Sequence, residues 1–555
     1  MKIRILYIFC IGFLLLLSSC GTSKSKHHIP DLTNFNAEKP VVKKLSDSSF
    51  ISGKNSFLKN KQGLWELYVQ GDPLQIGLAT GALTDSLLQK QQRIFFSKIT
   101  DIVPSKFQQK LLRHFLNWYN RKLYLNVPNE YQSEIYGVSR YTSHEFDNIA
   151  TQYQRSLYLH GAHDIGHALQ DLALVGCSSF AAWNDKSEDG SLILARNFDF
   201  YVNDAFAENK IVAFIKPENG NPFMMVTWPG MIGAVSGMNL EGLTVTINAS
   251  KSKIPLSAKT PISILTREIL QHANTIEEAV AIAKKRKVFV SESIMVGSAN
   301  DNKAVLIEVS PEKMDVFEVA NSNELICSNH FQGEAFQNDK RNKEQIANSH
   351  SEYRLERMQE LLNQNPKMNP KIASEILRNK EGLQNIALGL GNEKALNQLL
   401  AHHGIIFKPK EKLAWVSANP YQLGEFVCYD LKTVFKERPD NQPKSFEIEE
   451  LNIAKDDFLN SKSFSDFQKF KIENHKIDLA LEKKEILSND YLHYYESLNP
   501  NYWVVYYKTG LYFYQQKEYA SAKANFEKAL TKEITTAPEK ASIEKYLKKV
   551  KRKLQ

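Results

Sequence analysis

The residues of this chain best suited to covalent chemistry stand between positions 175 and 199. Val175-Gly176-Cys177-Ser178-Ser179-Phe180 is followed by Leu194-Ala195-Arg196-Asn197-Phe198-Asp199. The thiolate is the nucleophilic form of cysteine, so a reactive cysteine needs a base and favours a nearby cation. Glycine at 176 permits the strained backbone required if Cys177 attacks the carbonyl that precedes it. A cut at that bond would leave Cys177 with a free α-amine. The usual pKa of such an amine, about 7.7–8.0, lets it take the thiol proton without help from a histidine. Arg196 and Asp199, three apart on or just after the next predicted strand, would orient that amine and thiol. Taken singly, the Gly-Cys pair also reads as a buried structural cysteine, and Arg-Asn-x-Asp as a surface salt bridge.

The other cysteines leave room for a free thiol. Cys10 leaves with the N-terminal leader and Cys20, just past it, is expected to be taken by lipid, so Cys177, Cys327 and Cys428 remain. Leu325-Ile326-Cys327 and Phe426-Val427-Cys428-Tyr429 read as buried strands in which cysteine is a small inert hydrophobe; a disulfide between them stays open. There is no CxxC pair and no HExxH, so zinc is not expected. His163-Asp164-Ile165-Gly166-His167 and His402-His403-Gly404 offer ligand or acid/base groups, but with no carboxylate-rich third site they read better as hydrogen-bonded packing. No cofactor or metal is expected.

The elements that must position these residues change in kind along the chain. From about Asp31 to Gly176 the pattern is mixed but mainly helical, with amphipathic stretches at Ala82 to Thr100 and Pro104 to Lys122. After Cys177 come short β-rich runs: Ser191 to Ala195, Ile211 to Ile215, Phe223 to Thr227, Gly242 to Ile247, Ser293 to Val296 and Lys303 to Val309. Helical patterns at Pro261 to His272, Thr275 to Lys285 and Arg354 to Leu362 interrupt them, and strands return at Leu413 to Ser417 and Phe426 to Leu431. Helical layers around sheets, not a βαβ alternation, is the simplest arrangement. From Pro443 the composition turns to Lys/Glu/Asp/Ser-rich helix. There Tyr506, Gly510, Phe513, Ala522, Phe526 and Ala529 take the spacing of one tetratricopeptide-like hairpin. One hairpin either caps the main domain or binds a protein partner.

Charge and leader bound the surroundings. The 70 basic and 62 acidic residues give a net charge of +8. The basic residues are scattered except at Lys548 to Lys553, which argues against nucleic acid as a partner. Lys2 and Arg4 precede the apolar run Ile5 to Leu17, too short to span a bilayer comfortably. It ends in Leu17-Ser18-Ser19-Cys20-Gly21, which resembles a bacterial lipobox; this implies a signal peptide over 1–19, lipid on Cys20 and a tether over 20–30. The expected location is the cell envelope of a bacterium, on a membrane through the lipid and facing the periplasm or exterior.

Gly176-Cys177-Ser178-Ser179-Phe180 with Ala195-Arg196-Asn197-Phe198-Asp199-Phe200 resembles the acyl-coenzyme A:6-aminopenicillanic-acid acyltransferase family. It is also similar to choloylglycine hydrolases and acid ceramidases, all N-terminal-nucleophile hydrolases. Gly71-Asp72-Pro73-Leu74-Gln75-Ile76-Gly77 with Gly81 resembles the glycine-rich segment of the pro-region. Gly237 to Leu243, running into Thr246-Ile247-Asn248, resembles the strand-turn-strand that supplies one oxyanion contact, and Cys327-Ser328-Asn329-His330-Phe331 the strand end that supplies the other. Ser351 to Arg357 resembles the helix start that carries a further arginine, here Arg354, although the stretch from Asn329 to Arg354 is shorter than in bile-salt hydrolases.

The resemblance spans roughly Gly71 to Leu431 and implies an α+β chain with a four-layer αββα sandwich. Residues 31–176 would be the pro-region, 177–442 the catalytic chain and 443–555 an all-α tetratricopeptide-like region. It implies autocleavage between Gly176 and Cys177, with Asp199 on the amine, Arg196 holding thiolate and carboxylate in register, and Asn248 and Asn329 at the oxyanion. The expected activity is amide hydrolysis or acyl transfer on a small acylated substrate through a thioester. The alternatives are an esterase or phospholipase on the same fold, and a membrane-tethered interaction protein with a dead core.

Overall fold

The computed structural model describes residues 21–161, 164, 175–200, 204–252, 257–436 and 443–555. Cys20, the leader, His163 and His167 lie outside the described residues. Among these, seventeen strands form two sheets. The first orders eleven strands as β1 (Lys43–Ser46), β2 (Ser49–Ser52), β3 (Asn55–Lys59), β4 (Trp65–Gly71), β7 (Ile211–Pro217), β8 (Phe223–Thr227), β9 (Ser236–Asn239), β10 (Leu243–Ala249), β11 (Glu292–Ser298), β12 (Lys303–Val309) and β13 (Met314–Phe317). The second orders six as β14 (Glu324–Cys327), β5 (Val175–Ala182), β6 (Ile193–Phe200), β15 (His403–Lys408), β16 (Leu413–Ser417) and β17 (Phe426–Asp430). Only the β4–β7 ladder is parallel among these named strands.

Side-chain alternation along the strands builds the layers. On β7, Ile211, Ala213 and Ile215 meet Ile262, Leu265 and Ile269 of the helix Ile262–His272, together with Ile76 of the helix Pro73–Leu83. Val212 and Phe214 point the other way, into a core shared with Leu194, Ile405, Phe407 and Val416 of the second sheet. The far face of that sheet carries Phe180, Ile193, Ala195 and Ile406 against Met358, Leu361, Ala373 and Ile376 of the helices Ser351–Gln364 and Pro370–Leu377. A strand buried on both faces needs apolar residues in both registers, which is why these runs read as continuous rather than alternating. Helix, sheet, sheet, helix is the resulting order, the αββα sandwich expected.

Two segments add strand pairing to the helices expected of them. The segment 31–176 carries its helices, but it also gives β1 to β4 to the first sheet. These strands are short, separated by Gly53 at φ +57° and Gly63 at φ +88°, and β4 is completed by pairing with β7, far along the chain. Local periodicity does not carry that partner. At the other end, residues past 443 first run along β17, with bridges Tyr429↔Glu447 and Phe426↔Ile453. Two short 3-10 turns, Glu449–Leu451 and Asp457–Asn460, follow, and the α-helices of this region begin with Lys462–Lys483.

The predicted hairpin is Trp503–Gln515 against Tyr519–Leu530. Gly510 allows the close approach: a Cβ there would stand 2.7 Å from the Phe526 ring. The helical region shares a buried cluster with Leu399, Tyr421 and Leu423, so it caps the main domain. The amphipathic stretch near 110 forms the helix Lys106–Tyr119, yet Phe107, Leu111 and Phe115 on it are exposed. Among the described residues no helix is long and apolar enough to cross a membrane.

Candidate active site

The ladder between β5 and β6 decides which residues share a face. It pairs Gly176↔Asp199, Cys177↔Phe198, Ser178↔Asn197 and Ser179↔Arg196. Directly opposed residues in an antiparallel pair point to the same side. Cys177, Ser179, Arg196 and Phe198 therefore face the first sheet, and Gly176, Ser178, Asn197 and Asp199 face the outer helices. The three-residue spacing of Arg196 and Asp199 puts them on opposite faces of one strand.

Arg196 reaches the thiol, with Nη2 3.4 Å from Cys177 Sγ. Its guanidinium is fixed first by the other sheet: Nη1 donates to Val235 O at 2.8 Å and to Ser236 Oγ at 2.5 Å, and Nη2 to Ile247 O. The group also lies 4.3 Å over the Phe198 ring. Burial pushes the Cys177 thiol up, and the Arg196 charge pulls against it.

Asn329 follows β14 and holds the Cys177 backbone. Its Oδ1 accepts from Cys177 N at 2.9 Å and from Arg354 Nη2 at 2.6 Å, while Nδ2 donates to Ala249 O at 2.9 Å. Arg354, near the start of the helix Ser351–Gln364, also donates through Nη1 to Cys177 O at 2.5 Å and Ser178 Oγ at 2.9 Å. It grips the backbone of Cys177 and sends none of these hydrogen bonds to the thiol, so it positions. Desolvation brings it down to about 10.

Asp199 stands across from Gly176 with one oxygen in use. Oδ1 accepts from Gln422 Nε2 at 3.4 Å, and Oδ2 has no hydrogen-bond partner among the described residues. Burial pushes its carboxyl up to about 8, against the pull of Arg354, Gln422 and Arg196.

Asn248 lies elsewhere in the cluster. Its Oδ1 accepts from Ser179 Oγ at 2.8 Å, and Nδ2 donates to the carbonyls of Cys327 and Ser328 at 3.1 and 3.2 Å. Ile247 N turns toward Val235 O, so the next amide, that of Asn248, turns toward β11, where Ser293 pairs with it. Asn248 thus ties the two sheets together behind Ser179, and the structure does not aim its amide at Cys177 as an oxyanion donor.

The histidine pair set aside as packing forms a relay behind Arg196. Ser236 Oγ meets His403 Nε2 at 2.9 Å, and His403 Nδ1 meets His402 Nδ1 at 2.9 Å. Burial holds both rings well below the usual histidine range. Ser236 and Gln422 carry no local signal in the sequence; their roles come from strands and turns brought in from distant segments. Cys327 and Cys428 are both free and buried, one between the sheets and the other under the outer helices. Cys177, Arg196, Asp199, Asn248, Asn329 and Arg354 are each no more than 2% exposed. The fold therefore seals the candidate nucleophile away from solvent.

Residues 183–419 match the model of the family described as acyl-coenzyme A:6-aminopenicillanic acid acyl-transferase. The match begins past Cys177, takes in Arg196, Asp199, Asn248, Asn329 and Arg354, and agrees with the resemblance carried by the motifs. Among curated proteins, an uncharacterized protein of Archaeoglobus fulgidus is 24% identical over 280 residues, covering 46% of this chain and 45% of its own length. The protein dcd1B of Dictyostelium discoideum is 23% identical over 271 residues, covering 45% and 51%. The chain spans about half the length of these curated relatives. Among solved structures, a Caenorhabditis elegans ortholog of N-acylethanolamine-hydrolyzing acid amidase overlaps 42% of this chain and 93% of its own, at 19% identity and a TM-score of 0.32. A mutant conjugated bile acid hydrolase of Clostridium perfringens overlaps 49% and 97%, at 12% identity and a TM-score of 0.32.

Proposed function

We propose, with the acyltransferase-family match over residues 183–419 as premise, that this chain is a self-cleaving cysteine amidohydrolase or acyltransferase, synthesised latent. The observation that carries the reading is the convergence on Cys177 of a fixed guanidinium at its sulfur and an amide oxygen at its nitrogen. Once the bond after Gly176 is cut, the nitrogen now held by Asn329 Oδ1 becomes an amine. That oxygen and the unpartnered Asp199 Oδ2 on the neighbouring strand are the acceptors available to an ammonium there.

The amine accepts the thiol proton, and Arg196 stabilises the thiolate, which attacks the carbonyl carbon of an acylated substrate. Negative charge develops on the substrate oxygen. Asn329 Nδ2 spends one hydrogen on Ala249 O and keeps the other for that oxyanion, a contribution of about 2.7–4 kcal/mol for one well-placed donor. Collapse returns the proton from the ammonium to the leaving amine and leaves a thioester on Cys177. Water then gives hydrolysis, and a second amine gives transfer. Matched N-acyl and O-acyl substrates of one acyl group would separate an amidase from an esterase.

The first test is the purified protein itself. Wild type resolves into two fragments, the larger beginning at Cys177, whereas Cys177→Ala remains one chain. A wild type that is intact and active would end this reading.

A further inference from the structure

Gln398 is buried, at 1% exposure, and its Nε2 donates to no acceptor among the described residues. A buried amide donor left without an acceptor is unfavourable, and the surrounding turn is built to keep this one in place. Asn197 Nδ2 donates to Leu377 O at 2.8 Å and to Leu396 O at 2.9 Å. Asn397 Oδ1 accepts from Leu399 N at 3.0 Å, with Leu399 in the left-handed region at φ +54°. Further out, Asn499 bonds both polar groups of Leu390, at 3.0 and 2.8 Å, and Asn392 Nδ2 donates to Glu533 O at 2.9 Å.

What the amide touches is Gly176. A Cβ at that position would stand 2.4 Å from Gln398 Nε2 and 2.7 Å from Oε1. The carboxamide therefore rests on the Cα of the residue whose carbonyl would be attacked, on the face turned to the outer helices. Cys177 N points to Asn329, on the β14 side, so the Gly176 carbonyl, one step back along a strand, points to β6 and Asp199. The Cys177 side chain stands on the opposite face, toward the first sheet.

These directions have a stereochemical consequence. Sulfur adding to the Gly176 carbon from the first-sheet face drives the other three substituents, the oxygen among them, back toward the helix face. That is where the free Gln398 donor sits. We propose that Gln398 Nε2 donates to the Gly176 oxygen as Cys177 Sγ attacks the Gly176 carbonyl carbon, making Gln398 a catalytic residue of self-cleavage. This rests on the self-cleavage proposed above.

The step balances without an added oxidant or reductant. The Sγ–C bond forms as the thiol loses its proton, and the oxyanion collapses. The C–N bond then breaks, with a proton delivered to the departing nitrogen, which leaves a Gly176 thioester on Cys177. Water hydrolyses that thioester to the Gly176 carboxylate and restores the thiol. The same contact gives glycine at 176 a second reason, since any Cβ would displace the donor.

The experiment follows fragment appearance after cell-free synthesis of the full chain, for wild type, Gln398→Met and Gln398→Glu, each checked for folding by its thermal melt. Removing one oxyanion donor typically slows reaction about 10²–10³-fold, and Gln398→Met is expected in that range. Gln398→Glu regains a donor only when protonated, so its cleavage speeds up, relative to wild type, as pH falls from 8 to 5. Wild type that is cut, with Gln398→Met cut at the same rate, overturns the Gln398 assignment alone. A Gln398→Glu variant whose rate relative to wild type ignores pH also overturns it. Uncut wild type overturns the self-cleavage reading and this assignment together.

Discussion

At Arg196 the guanidinium is held by three oxygens of the first sheet before it meets the sulfur of Cys177. Its charge is therefore preorganised, with little to gain from rearranging when the thiolate forms. Arg196→Met removes that charge and leaves buried acceptors unpaired at about 1–3 kcal/mol each. In protein that has been cut, kcat/KM should fall about 10²-fold or more, and the pH midpoint for alkylation of Cys177 should rise. An unmoved alkylation midpoint would show that Arg196 only packs.

Asp199 makes the second prediction at this scale. Its carboxyl is pushed up to about 8 by burial in the uncut chain, against about 3.9 when unfolded. Between those values the folded state holds a proton that the unfolded state has lost, so its contribution to stability is full below about 4 and is lost as pH rises toward 8. The loss runs at no more than about 1.4 kcal/mol per pH unit for one group. Uncut Cys177→Ala should therefore lose stability from pH 5 to 8 in urea melts, and the double variant with Asp199→Asn should lose less. Equal slopes would refute the assignment.

At the scale of elements, the β5–β6 register does the sorting. Its two-residue period sends Arg196 to the sulfur side and Asp199 to the Gly176 side, although both lie in one short motif. The turn that carries Gln398 is a second such element, fastened from outside by Asn499 and Glu533 of the helical region. Asn499→Ala strips both bonds from Leu390, with an expected loss of about 1–3 kcal/mol. Chemical denaturation should read that loss, and fragment formation should slow with it. A destabilised variant that cleaves at the wild-type rate would show that the clamp serves stability alone.

For the whole molecule, the four layers bury the candidate nucleophile completely, so the cleavage proposed above would serve as an activation step rather than a by-product. The helical region acts as a cap through Leu399, Tyr421 and Leu423 and as the brace of the Gln398 turn. We further propose that Cys20 carries lipid, because the apolar run before it ends in a lipobox-like sequence. Cys20→Ser should move the protein from the membrane fraction to the soluble fraction and remove label from a fatty-acid pulse. Label retained on Cys20→Ser would dismiss this.

By itself the sequence determined the layers, the strand runs at Phe223–Thr227 and Lys303–Val309, the hairpin around Gly510, and the pairing of Gly176-Cys177 with Arg196 and Asp199. Each of these lies in local period or in a short ordered motif, where side-chain direction follows from spacing. Only the tertiary structure decided that Arg196 and Asp199 part to opposite faces, that Asn248 is spent on Ser179 and the carbonyls of Cys327 and Ser328, and that Asn329 holds the Cys177 nitrogen. It also brought Gln398, Gln422, Ser236 and His403 to the site, and gave β4 its partner β7. Those facts depend on which strand lies beside which and on turns closed over long stretches of chain. A residue whose neighbours arrive from elsewhere in the chain carries no local mark of what it will touch.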